Sequence, residues 1–145
     1  MPVHLDSSVV AAVVLREPKV VEFWELADIL FVSDLVAVEV RRAIHRLRLN
    51  GQFSDDGVAD SMAALAEMEE GLTFLGISRE VLNRASGAFS SNVRTLDAIH
   101  LATAAVNAED LDDPDPITFV THDRRLARAA RALGYTVIGV DVDSP

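Results

Sequence analysis

Ile117-Thr118-Phe119-Val120-Thr121-His122-Asp123-Arg124-Arg125-Leu126 is the stretch that decides the fold. Its first five residues are apolar or β-branched and short enough for a buried strand. Arg124 to Leu133 reads as a helix closed by Gly134, and an aspartate stands at the joint. The N-terminus repeats the scheme: Val3-His4-Leu5 reads as a strand, Asp6 follows, and Ser7 to Leu15 starts a helix that ends near Pro18. Strands separated by helices need right-handed crossovers, which give a parallel sheet covered on both faces. Ligands of such sheets bind beyond the carboxyl ends of the strands, where Asp6 and Asp123 fall.

Between these two units the pattern keeps alternating. Val20 to Leu26 reads as helical, Ile29 to Val32 as a strand, and Ser33 or Asp34 caps a helix that Asn50-Gly51 stops after Leu49. Ser54 to Glu70 carries Val58, Met62, Leu65 and Met68 at helical spacing. Thr73 to Leu75 reads as a short strand, Ser78 to Ala88 as a helix, and Thr95 caps a helix running to about Ala108. Asp110 to Pro116, with two prolines and four acids, opposes both helix and sheet and reads as an exposed acidic loop. Thr136 to Val140 is a last strand. The 145 residues show no composition shift, repeat or low-complexity segment, so residues 1–145 are expected to form a single domain.

Composition excludes several classes. The longest apolar run, Val9 to Leu15, is far shorter than the roughly 20 residues of a membrane span, and no secretory signal is evident. With no cysteine there are no disulfides, thiolate metal sites or cysteine nucleophile, which fits a cytoplasmic protein. A net charge of -10 opposes broad affinity for phosphate backbones. The basic residues are nevertheless grouped, as Arg41, Arg42, Arg46 and Arg48 in one segment and Arg124, Arg125, Arg128 and Arg131 in another. The plain reading of these groups is solvated helix faces and salt-bridge partners.

Four acids stand where the pattern asks for something else. Asp6 and Asp123 sit at strand ends, Asp97 in the first turn of a helix, and Glu39 interrupts the stripe Leu35, Glu39, Ala43, Leu47 on one helix face. An acid on a face that a helix should bury is costly without a cation or hydrogen bonds. Taken singly, Asp6 and Asp123 read equally well as helix caps and Asp97 as an acid favoured by the helix dipole. Taken together they repel one another, so either their pKa values rise or cations intervene. All-oxygen ligands select hard ions such as Mg2+ or Mn2+ over zinc, and such ions activate water and stabilise a transferring phosphoryl group. His100, one turn beyond Asp97, reads as a structural, hydrogen-bonded residue. Thr121 is either a strand threonine or a partner for a site carboxylate.

Leu5-Asp6-Ser7-Ser8, the run from Ser33 to Val40, the run from Arg94 to Ala104 and Val120-Thr121-His122-Asp123-Arg124-Arg125-Leu126 together resemble PIN-domain nucleases, and among them VapC-type toxins of toxin-antitoxin pairs. The resemblance spans nearly the whole chain and is most specific around Asp97. It implies a three-layer α/β/α sandwich with a short, mainly parallel sheet, and a Mg2+-dependent endoribonuclease in which Mn2+ can substitute. It puts the metal-binding acids at Asp6, Glu39, Asp97 and Asp123, with Asp6 and Asp97 as direct ligands and Thr121 in support. It also implies a homodimer, an RNA substrate and an antitoxin that blocks the site. Two other classes stay open: a noncatalytic PIN-like interaction module, and a small phosphatase using Asp6, whose motif would need an aspartate where Ser8 stands.

Overall fold

A computed structural model describes residues 2–18, 29–111 and 117–140. Five strands, β1 (Val3–Leu5), β2 (Leu30–Ser33), β3 (Leu72–Leu75), β4 (Thr118–Val120) and β5 (Thr136–Ile138), form one sheet in the order β3-β2-β1-β4-β5. Every pairing is parallel, with His4 aligned to Phe31 on one side and to Phe119 on the other. The helices are α1 (Ser7–Val14), α2 (Leu35–Leu49), α3 (Asp55–Glu70), α4 (Arg79–Ala85), α5 (Thr95–Asp110) and α6 (Arg124–Ala132).

Strand alternation divides the core into two layers. Val3, Leu5, Leu30, Val32 and Val120 pack against Val9, Val10 and Val14 of α1, Val36, Val40 and Ile44 of α2, and Val58 and Leu65 of α3. Phe119 and Ile117 pack on the opposite face against Leu101 and Ala104 of α5 and Leu126, Ala129 and Ala130 of α6. His4 belongs to this second face, buried and stacked on Phe31 with ring centroids 5.2 Å apart. The chain is therefore a three-layer α/β/α sandwich. Among the described residues no helix is long and apolar enough to cross a membrane.

The chain leaves central β1 towards β2 and β3, then returns to place β4 and β5 on the other side. The direction of winding reverses between β1 and β4, and the crevice at their carboxyl ends is the topological switch point of the sheet.

Several local expectations are corrected. The buried stripe of α2 is Val36, Val40 and Ile44, one residue round from Leu35, Glu39, Ala43 and Leu47, which are half-buried along its border. Thr95 does not cap α5: it is the first helical residue, and Arg94 holds the cap position without a side-chain bond. Ser78 does cap α4, but that helix ends at Ala85, short of Ala88, because the chain turns away at Ser86-Gly87. The expected helix from Val20 to Leu26 and most of the acidic loop lie outside the described residues.

Candidate active site

The switch-point crevice opens into a cavity of about 710 Å³ lined by Asp6, Glu39, Asp97 and Asp123. Its lining also includes Ser7, Ser8, Arg42, Arg46, Arg94 and Thr95. Four elements meet there: the β1–α1 joint supplies Asp6, α2 supplies Glu39, the first turn of α5 supplies Asp97 and the β4–α6 joint supplies Asp123. All four acids singled out by the sequence thus face one space.

Asp6 is almost wholly buried and held from several sides. Ser8 Oγ donates to Oδ1 at 2.6 Å, Thr121 Oγ1 donates to Oδ2 at 2.9 Å, and the Val9 amide donates to Oδ1 at 3.4 Å as the cap of α1. Desolvation raises its pKa to about 6, and these donors and nearby His100 offset only part of that effect. The same hydroxyls secure the opposite joint: Ser8 Oγ accepts from the His122 amide at 3.0 Å and Thr121 Oγ1 from the Asp123 amide at 3.0 Å. Two small side chains therefore lock β1 to β4 where the sheet pairing ends.

Glu39 is gripped differently. His100 Nε2 lies 2.5 Å from Oε1, Ser7 Oγ donates to Oε2 at 3.1 Å, and His100 Nδ1 lies 3.0 Å from Ser33 Oγ. Ser33 Oγ also accepts from the Leu35 amide at 3.2 Å. Both ring nitrogens of His100 are thus engaged, Nε2–H donating to Glu39 and Nδ1 bonded to the Ser33 hydroxyl. His100 is buried, as a structural histidine should be, and its hydrogen bond fixes a site carboxylate.

Asp97 is half-buried, and its pKa is raised by desolvation first and next by the charge of Asp123, with Glu39 adding to the repulsion. His100 and Arg94 pull it the other way. Asp123 caps α6, accepting from the Arg125 and Leu126 amides at 2.8 and 3.1 Å. The cap readings of Asp6 and Asp123 are therefore correct, and compatible with a place in the cavity. Among the described residues no three His, Asp or Glu side chains converge closely enough to hold an ion as they stand. Asp6, Glu39 and Asp123 each accept hydrogen bonds from neighbouring groups instead.

Three contributors escape a reading of the sequence. Ser8 and Ser33 bond across 114 and 67 residues of chain, and no local pattern marks those long-range roles. Gly139 has φ +112, and a Cβ there would stand 2.2 Å from the Thr121 carbonyl oxygen.

The sequence matches the PIN domain family over residues 3–132. The chain is a PIN domain of the VapC type. It is 32% identical over 139 residues to Ribonuclease VapC46 of Mycobacterium tuberculosis, covering 94% of this chain and 95% of that one. It is 27% identical over 135 residues to Ribonuclease VapC47 of the same organism, covering 92% and 93%. VapBC2 from Rickettsia felis, solved bound to a DNA fragment from their promoter, shares the fold with a TM-score of 0.66 at 13% identity, over 97% of this PIN domain and 100% of that chain.

Proposed function

We propose that this PIN domain is a divalent-metal-dependent endoribonuclease and the toxin of a VapBC-type pair. The observation that carries the reading is the presence of Asp6, Glu39, Asp97 and Asp123 around one cavity at the switch point of a parallel sheet. Likeness to proteins named ribonucleases supplies the substrate class.

The donor set suits a hard cation. It is all carboxylate, with hydroxyls behind it; burial already raises the pKa of Asp6, and burial together with repulsion from Asp123 and Glu39 raises that of Asp97, a penalty that a cation would offset. Asp6 and Asp97 would hold Mg2+ or Mn2+ directly, with Glu39 and Asp123 completing the site. Bound there, the ion supplies the charge that activates water and stabilises the phosphoryl oxygens during hydrolysis. The protein's own part is orientation. Ser8 and Thr121 fix the Asp6 carboxylate, His100 and Ser7 fix Glu39, and the α6 amides fix Asp123. We extend the reading to a cytoplasmic homodimer and to an antitoxin that occupies the cavity, for which an Arg or Lys side chain would be the complementary group.

RNA cleavage in Mg2+ or Mn2+, compared with a chelated control, tests the activity. Cleavage should disappear in chelator and in Asp6→Asn and Asp97→Asn, while Asp97→Asn should melt no lower than the natural protein without metal and gain less from Mn2+. Undiminished cleavage in excess chelator would sink the metal mechanism. Co-expression with the neighbouring small reading frame tests the toxin role: growth arrest should appear without it and vanish with it.

A further inference from the structure

The arginines of this chain divide by what they face. Arg41 pairs with Glu69 at 2.6 Å, Arg48 with Asp55 at 2.6 Å and Arg84 with Glu109 at 2.7 Å. Arg124, Arg125, Arg128 and Arg131 lie exposed along α6, away from the cavity lining. Arg42, Arg46 and Arg94 are different. They are exposed, they line the same cavity as the four carboxylates, and among the described residues no ion pair joins any of them to an acid. The α6 arginines are equally without ion pairs and Arg94 already acts on Asp97, so what sets these three apart is that they stand exposed around the carboxylate cavity, where a ligand would meet them.

We infer that Arg42, Arg46 and Arg94 form a cationic rim that binds the phosphates of an RNA strand on either side of the bond being cut, an inference that rests on the ribonuclease reading above. Arg42 and Arg46 are one turn apart on α2, so about 6 Å separates them along the helix axis. That is close to the spacing of neighbouring phosphates in an extended strand. Arg94 enters from the residue before α5. Guanidinium groups suit this task because their planar fork grips phosphate oxygens in pairs and never loses its charge.

The rim also resolves a conflict of charge. Four carboxylates in a chain of net charge -10 repel a polyanion, and cations in the site offset that only for the phosphate they touch. Flanking phosphates need their own counter-charges, and the rim puts three beside the acids. An acidic protein segment could satisfy the arginines but leaves the carboxylate floor without a partner. A phosphodiester strand fits both parts, delivering one phosphate with its cations to the floor and its neighbours to the rim.

Salt dependence tests the inference. In the full chain carrying Asp97→Asn, so that RNA is bound without turnover, the affinity for a single-stranded RNA oligonucleotide is measured across salt concentration in Mg2+. Removing one phosphate-binding side chain should flatten the log–log slope by about 0.7. Arg42→Ala, Arg46→Ala and Arg94→Ala together should flatten it by about 2 and weaken binding at low salt by more than tenfold. The three lysine replacements should restore much of the slope, and Arg128→Ala on α6 should leave it unchanged. With Asp97 intact, the triple alanine variant should lose kcat/KM on RNA chiefly through KM. If the intact protein cleaves RNA while the triple variant keeps the natural slope and KM, the rim is refuted and the ribonuclease reading stands. If antitoxin binding falls while RNA affinity holds, the arginines belong to a protein interface and the inference is also overturned. If the intact protein neither cleaves nor binds RNA, the ribonuclease reading fails and the rim with it.

Discussion

His100 uses both ring nitrogens to fix one carboxylate, so its removal should act through Glu39. His100→Gln can present an amide N–H near the position of Nε2, whereas the shorter side chain of His100→Asn cannot. The asparagine variant should lose about 10- to 100-fold in Mn2+ affinity and in RNA cleavage, and the glutamine variant should recover part of both. Adding His100→Asn to Glu39→Gln should cost little more, since the two act as one unit. Natural Mn2+ affinity in the asparagine variant would show His100 to be mere packing. The four acids were legible in the sequence because each breaks a local pattern, and His100 was legible as a buried, bonded residue. Its partner was not: Ser33 lies 67 residues away, and only the packing of α5 against β2 brings the two together.

Elements carry the site through their joints. The segment after β5 passes so close to the β4–α6 joint that Gly139, at φ +112, leaves no room for a Cβ against the Thr121 backbone. Thr121 cannot yield freely, because its amide donates to the Ile138 carbonyl at 3.0 Å and its hydroxyl to Asp6. Gly139→Ala should therefore destabilise the fold by more than about 1 kcal/mol and reduce cleavage along with it. Gly134→Ala provides the control: φ is +89 there but the space around it is open, so only backbone strain is added. Urea unfolding of the two variants checks this, and equal midpoints would mean that the Thr121 contact imposes nothing. All five strands were legible from apolar runs bounded by turn and cap residues. The helical face of α2 was misjudged by one residue, because Leu35, Glu39, Ala43 and Leu47 run beside Val36, Val40 and Ile44 and both stripes have helical spacing. The start of α5 was misjudged because Thr95 has the chemistry of a cap but lies just inside the helix.

At the scale of the whole molecule, parallel pairing followed from the alternation of strands and helices, while the order β3-β2-β1-β4-β5 did not, since long-range packing chooses which neighbour each strand takes. That order puts two buried ionisable groups, His4 and Asp6, on the central strand and its exit, and their effects on stability oppose each other. Burial lowers the pKa of His4 from 6.5 to about 4. As pH falls through that interval the unfolded chain takes up a proton that the folded chain refuses, so stability present above pH 6.5 is lost, on the order of 3 kcal/mol. Asp6 has its pKa raised from 3.8 to about 6. Below 3.8 it is neutral in both states and carries no penalty; as pH rises towards 6 the unfolded chain ionises first, and stability of similar size is lost in that direction. Without metal the two contributions should nearly cancel between about pH 4 and 6. Asp6→Asn removes one side of this balance and leaves His4 unopposed. Relative to the natural protein, the variant should therefore lose on the order of 2 kcal/mol when urea unfolding is moved from pH 6.5 to pH 4.5 in chelator. Parallel profiles for the two proteins would mean that Asp6 is not held above its ordinary range. Mn2+ adds a second sign to the same experiment. Because a cation selects the ionised carboxylate, its stabilising effect on the natural protein should grow as pH rises through about 6, and should be much smaller in Asp6→Asn at every pH.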